Sequence, residues 1–396
     1  MQRSSLTFRF AMSLPILVWL SAAACNDDTT ASLADTATLC AAVSNSDVVV
    51  SQKADLEQLA TRTQIDGDLI VCETTDVDTI ELYELTTING NLVIYANLGL
   101  TRVYMPVLTS IGSAHPVERS WYGLLFDQNM SLTTASLPAL KTVDQHVWVR
   151  GNALLVDFDL PAMTTLTGNI TLTGTPMTRI DGFGSLRSTG GSLAFMSNPE
   201  LESISGFVRL LTISNDIFID DSAKLTSVVL PTARTVGRNL TVTGSPLVST
   251  VSLPAVTSVG SNVELSATAL TSLDGLAAVE IIGGHLEITE NATLITASLP
   301  ALEVVASDLS VDTNITMTGV SMPALTYVAA DLAVTGNTLL GTLDVLALAG
   351  VGGNLRILDN PVFPNCRAEA IRDQIGTANI GGQVSLSGND ARATCN

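Results

Sequence analysis

Two stretches, Gly90-Asn91-Leu92-Val93-Ile94-Tyr95-Ala96-Asn97 and Gly353-Asn354-Leu355-Arg356-Ile357-Leu358-Asp359-Asn360, spell the same sentence near opposite ends of the chain. Between and around them the pattern Gly/Ser-Asn/Asp-Leu-x-Ile/Val returns. Its first core residue falls at Leu69, Leu92, Leu124, Val147, Ile170, Leu193, Ile217, Leu240, Val263, Leu286, Leu309, Leu332, Leu355 and Val384. Most steps equal that from Leu69 to Leu92; only those ending at Leu124, Ile217 and Val384 are longer. A fixed period of this kind is the mark of a solenoid, in which each unit buries its apolar face only against its neighbours. The residue two positions on is again apolar (Ile94, Phe126, Val149, Leu172, Ile219, Val242, Ile288, Val311), the alternation of a half-buried strand.

Two further columns describe the corners. Five positions after the core residue stand Asn97, Asn129, Asn152, Asn198, Asn291, Asn314, Asn337, Asn360 and Asn389, with Thr175, Ser222, Ser245 and Thr268 on other rungs. Asparagine tolerates left-handed backbone, and its amide can pair with buried turn groups, so the column predicts left-handed corners stitched by an asparagine ladder. Fourteen positions after the core residue come Pro106, Pro138, Pro161, Pro231, Pro254, Pro300 and Pro323, where no ladder N–H is needed, followed by a second strand as in Pro106–Gly112. Open ends of a stacked coil need covers. Residues 51–61, with Leu56, Leu59 and Ala60, and residues 365–375, with Ile371 and Ile375 behind an Asn365 N-cap, read as helical caps. Fourteen rungs at about 4.8 Å predict a rod on the order of 65 Å long.

The 396 residues are 46% hydrophobic but only 14% charged, which excludes a disordered polar chain. With 18 basic against 38 acidic residues the net charge is −20, no footprint for nucleic acid or an anionic membrane surface. Polyanionic partners are therefore not expected. At the start, Arg3 and Arg9 precede an apolar run from Phe10 to Leu20 and then Ser21-Ala22-Ala23-Ala24-Cys25, the order of a secretory signal. It resembles a bacterial lipoprotein signal, which implies removal of residues 1–24 and lipidation of Cys25, with simple secretion as the alternative. The small, polar residues 25–39 then serve as a tether. Asn26, where aspartate commonly signals inner-membrane retention, points to the outer membrane or cell surface. Four cysteines remain, suited to an oxidising compartment. Two of their three pairings would join the two ends of an elongated body, so Cys40 is expected with Cys72 and Cys366 with Cys395.

The repeat, the segments Leu-Pro-Ala-Leu-Thr-x-Val-Gly, the closing Asn360-Pro361 and Cys366, and the final Ser387-Gly388-Asn389 and Cys395 resemble the receptor L-domain family. The resemblance covers residues 40–396. It implies an all-β solenoid, a right-handed parallel β-helix with a leucine-rich-like repeat of about 23 residues per coil and short helical caps. In that family such solenoids are ligand-binding modules. The Cys-rich modules and kinase of animal receptors are missing, so hormone signalling is not implied.

No reaction chemistry stands out, and no cofactor or metal is expected. None of Lys53, Lys141 and Lys224 follows glycine, which excludes a P-loop, and Ser192 in Gly190-Gly191-Ser192-Leu193-Ala194 reads as a strand-start residue and not a nucleophile elbow. Outward His285 and Glu287, with Glu264, Asp308 and Asp312 on adjacent rungs, form the one candidate calcium or acid/base cluster; polar residues at outward strand positions need no such explanation. The outward column of the main sheet is more telling. Early rungs carry Val93, Tyr95, Leu125, Trp148, Arg150, Met196 and Phe218, while later ones carry Thr241, Thr243, Glu264, Ser266, Glu287, Thr289, Ser310 and Asp312. Tyr95, Leu125, Trp148, Arg150, Met196 and Phe218 therefore form the candidate binding face for a protein or glycan. The insertion at 113–121 forms either its rim or its cover. The expected role is a non-enzymatic, lipid-anchored envelope binding or adhesion module. The alternatives are a structural envelope protein without a ligand and a polysaccharide-active β-helix enzyme.

Overall fold

The computed structural model describes residues 40, 44–112 and 123–395. They form a parallel β-solenoid. Its long face is a 15-stranded sheet running from Val48–Val50 through Leu69–Cys72, Leu92–Tyr95 and their successors to Leu355–Leu358 and Val384–Ser385. A second face is a 13-stranded sheet of two-residue strands from Gln64–Ile65 to Gly350–Val351. A third face is broken into sheets of four, four and three strands. The pairings are parallel and join equivalent residues of successive coils, such as Val147↔Ile170 and Leu286↔Leu309. The all-β solenoid with a leucine-rich-like repeat of about 23 residues is thus the observed fold.

The coil has three sides where the sequence pointed to two. Between the long-face strand and the proline stands an extra short strand, for instance Arg102–Tyr104 or Thr134–Ser136, and Pro106-Val107 lies in the turn after it, leaving only Ser110–Ile111 for the second face. The interior is continuous. In one coil Leu92, Ile94, Leu100, Val103, Met105, Leu108 and Ile111 are all buried, each removal from water being worth roughly 1.5–3 kcal/mol. Phe126, Phe158, Phe183 and Phe207 pass ring contacts along the axis, closest at 5.1 Å between Phe183 and Phe207.

The corner asparagines are buried and do form a ladder. The N–H of Asn291 donates to Asn314 Oδ1, Asn314 N–H to Asn337 Oδ1 and Asn337 N–H to Asn360 Oδ1, each at 3.0 Å. Each Nδ2 also reaches back, as Asn314 Nδ2 does to Ile288 O at 2.8 Å. The left-handed residue is not the asparagine, however, but the one before it. In every rung that position has positive φ, from Glu73 (51°) through Ala96, Gln128, Gly151 and Ala267 (52°) to Gly388 (75°). The chain reverses there, and the following amide then faces inward.

A second ladder stands at the start of each long-face strand, one residue before the first core position. Asn91 N–H donates to Asp68 Oδ1 (2.7 Å), Ser192 N–H to Asn169 Oδ1 (2.7 Å), Asn262 N–H to Asn239 Oδ1 (3.1 Å) and Asn354 N–H to Asp331 Oδ1 (2.7 Å). Its polarity is opposite to that of the corner ladder, since each N–H points to the preceding coil and not to the next. This explains the glycine of the Gly-Asn motif. A Cβ at Gly191, Gly284 or Gly353 would collide with Oδ1 of Asn169, Asn262 or Asp331 below it.

The ends are closed as the pattern predicted, with local differences. The first helix, α1, is short (Lys53–Glu57), with Leu59 buried just beyond it and Ala60 exposed. The second, α2 (Asn365–Ile375), buries Ala368, Ile371 and Ile375; its N-cap is Pro364, not Asn365, whose Nδ2 donates to Glu369 Oε1. Disulfides join Cys40 to Cys72 and Cys366 to Cys395, with Cα atoms 5.6 Å and 6.0 Å apart.

Candidate functional site

The outer face of the long sheet presents two adjacent columns. One runs Val93, Leu125, Trp148, Thr171, Ala194, Phe218, Thr241, Glu264, Glu287 and Ser310. The other runs Tyr95, Asp127, Arg150, Thr173, Met196 and Asp220. The six candidate residues are therefore brought together, three in each column.

They are not equally available, and the exposed patch expected from Tyr95, Leu125 and Trp148 needs correction. Leu125 is 0% exposed, Trp148 5% and Tyr95 8%, although none belongs to the interior core. Outward direction is not exposure. In an in-register parallel sheet the side chains of a column stand about 4.8 Å apart, so a small side chain between larger ones is screened, as Thr241 between Phe218 and Glu264 is at 3% exposure. Arg150, Met196 and Phe218 remain half-buried and accessible. The insertion at 113–121 lies outside the described residues, as do Cys25, the signal segment 1–24 and the tether up to residue 39.

Asp127 belongs to no motif in the sequence, although the coil register sets it opposite Arg150. It is 1% exposed, its carboxylate lies 2.9 Å from an Arg150 guanidinium nitrogen, and the guanidinium carbon lies 5.9 Å from the Trp148 ring centre. Burial pushes its carboxyl above the usual carboxylate range, with Arg150 opposing the shift. This charged group anchors Arg150 at the margin between the buried and the accessible halves of the face.

The acidic cluster is arranged differently from the expectation. His285 belongs to the strand-start ladder, where its N–H donates to Asn262 Oδ1 at 3.0 Å, and Asp308 Oδ1 accepts Asp331 N–H at 2.9 Å. The imidazole Nε2 reaches Glu264 Oε1 at 3.0 Å, a contact that raises the histidine above its ordinary value against a smaller lowering by burial. Among the described residues no group of three or more His, Cys, Asp or Glu side chains is placed to hold a metal ion. Ser192 is likewise a ladder member; its Oγ donates to Asp216 Oδ2 at 3.1 Å.

The fold and this face define a leucine-rich-like parallel β-solenoid with a laterally accessible long sheet. No family model and no curated protein matches the chain. Among solved structures, a leucine-rich repeat protein from Bacteroides ovatus is similar over 76% of this chain and 88% of that one, with 13% identity and a TM-score of 0.37. Among the described residues no helix is long and apolar enough to cross a membrane.

Proposed function

We propose that this chain is a non-enzymatic binding module of the receptor L-domain type, tethered to a bacterial envelope through lipid on Cys25, that recognises a protein or glycan with the long sheet around Arg150, Met196 and Phe218. The observation that carries the reading is the placement of Met196 and Phe218 on successive coils, half-accessible, in a sheet whose next outward positions, from Thr241 to Asp312, are Thr, Ser, Asp and Glu. Apolar surface flanked by one fixed cation is the composition of a recognition patch. Trp148 lies beside Arg150 at the edge of that patch, while Tyr95 and Leu125, four coils away from Met196 and Phe218 in their columns, do not touch the ligand.

The test is binding of the mature chain to a panel of purified envelope proteins and glycans, with M196D/F218D beside it. The reading expects loss of a specific partner at unchanged melting temperature; a panel without any partner, or retention by the variant, would refute it. Metabolic labelling with palmitate, expected in the native chain and lost in Cys25→Ser, tests the anchor separately. Burial of Tyr95, Leu125 and Trp148 favours a second reading for the early rungs, a purely structural role, in which substitutions there change stability and leave partner capture intact.

A further inference from the structure

The second face carries a charge pattern that the overall −20 conceals. Lys141, Thr164, Arg187, Leu211 and Arg234 occupy one column at the start of its strands. Thr164 N–H donates to Lys141 O (2.9 Å), Arg187 N–H to Thr164 O (3.2 Å), Leu211 N–H to Arg187 O (2.8 Å) and Arg234 N–H to Leu211 O (2.9 Å). The three cations thus recur on every second coil, a step of about 9.6 Å. All three are exposed, and none forms an ion pair among the described residues. Exposed Arg209 and half-buried Arg238 lie on the same coils.

Beside this column runs an unbroken line of hydroxyls, Thr87, Ser110, Thr142, Thr165, Ser188, Thr212, Thr235 and Ser258, paired in register from coil to coil. Carboxylates on these cationic coils of the second face are few. Asp144 accepts Thr167 Oγ1 at 2.8 Å, Asp216 is buried in the strand-start ladder, and Asp159 and Asp181 belong to the neighbouring short face. Further along, Glu280 and Glu303 take over the column and end the positive stretch. Screening over about 8 Å at physiological ionic strength lets such a stretch act independently of acids elsewhere on the rod.

We infer that the second face between Lys141 and Arg238 binds an extended acidic polysaccharide, a chain of uronate sugars lying along the solenoid axis. Lys141, Arg187 and Arg234 meet carboxylates spaced at every second coil, and the hydroxyl line exchanges hydrogen bonds with the sugar hydroxyls between them. From Lys141 to Arg234 the site spans about 19 Å, the length of a short oligosaccharide. No aromatic side chain stands in the cationic column or the hydroxyl line from Thr142 to Ser258, so the stacking platform that single-stranded nucleic acid uses is missing there. This site is on a different face from the Met196 and Phe218 patch and does not depend on it.

The experiment is titration of the full chain with polygalacturonate, with neutral dextran and single-stranded oligothymidylate as comparisons, at low and at high ionic strength. Expected are binding of polygalacturonate at low salt that weakens with salt, no binding of dextran, and weaker binding of the oligonucleotide. The triple variant K141A/R187A/R234A should lose roughly tenfold or more in affinity at unchanged melting temperature, whereas F218D binds as the native chain does. Absence of polygalacturonate binding at low salt, an unaffected triple variant, or oligothymidylate bound as tightly as polygalacturonate would each overturn the assignment.

Discussion

The N–H of Asn291 donates to Oδ1 of Asn314, one coil further on, at 3.0 Å, and Asn314 returns its Nδ2 to Ile288 O, on the coil of Asn291, at 2.8 Å. Its own N–H continues to Asn337 Oδ1. One fully buried residue therefore ties three consecutive coils. Replacement by leucine keeps the volume but strands the Asn291 N–H in the interior and removes the second partner of the Ile288 carbonyl, at roughly 1–3 kcal/mol for the buried unpaired group. Asn314→Leu is expected to lower stability by about 1–3 kcal/mol in urea unfolding. Asn314→Ser, short enough to reach one partner only, should fall between; a loss below about 1 kcal/mol for leucine would mean that the ladder is not a main support.

Ala267 has φ of 52° at the exposed corner before Thr268. Left-handed backbone costs an L-residue about 1–2 kcal/mol, and glycine loses about half to one kcal/mol in unfolded-chain entropy. Ala267→Gly is expected to raise stability by up to about 1 kcal/mol, and Ala267→Val, with a branched Cβ, to lower it by more than that amount. Thermal unfolding of the three proteins gives the order directly.

How much of this was legible follows from which quantities a sequence encodes. Period and alternation are carried by identity, so the rungs from Leu69 to Val384, the burial of Leu92 and Ile94 and the pairing of the cysteines could be read. The corner column was visible because asparagine fills most of it, but its left-handed neighbour holds Glu73, Ala96, Gln128 and Ser197 as readily as glycine, so composition carried no signal there. The strand-start ladder was hidden for the same reason: His146 and Ser192 do an asparagine's work, His146 through an Nδ1 that accepts Asn169 N–H at 2.9 Å and Ser192 through an Oγ that accepts Asp216 N–H at 3.1 Å. The burial of part of the candidate face was hidden for another reason. Alternation says that Leu125 and Trp148 point away from the core, but it does not say what then covers them.

The contact between His285 and Glu264 makes one local stability contribution depend on pH. Glu264 holds the imidazole above the ordinary histidine value, with Glu287 and Asp308 adding to the shift. A raised folded-state value means that the contribution is fully present below the unfolded histidine value and is lost as pH rises through the folded one. A proton NMR titration should place His285 above an unstructured histidine, and Glu264→Gln should bring it down while narrowing the stability difference between mildly acidic and mildly alkaline buffer. An unshifted histidine in the native chain would contradict the contact.

The disulfide from Cys366 to Cys395 closes the last coil, 29 residues of chain that hold α2 and the strand Val384–Ser385 against the solenoid's end. In the chain-entropy picture a loop of this length restrains the unfolded segment by roughly 3.5 kcal/mol. That coil has a neighbour on one side only, at Leu355–Leu358, so its stability is the sum of one interface and the crosslink. Cys366→Ser with Cys395→Ser is therefore expected to fray the end and leave the middle intact. Hydrogen exchange should show protection lost across Val384–Ser385 and much of α2 but kept at Leu240–Val242, whose strand is flanked on both sides. Uniform loss along the rod would mean instead that the coils unfold as one unit and that the crosslink stabilises all of them equally.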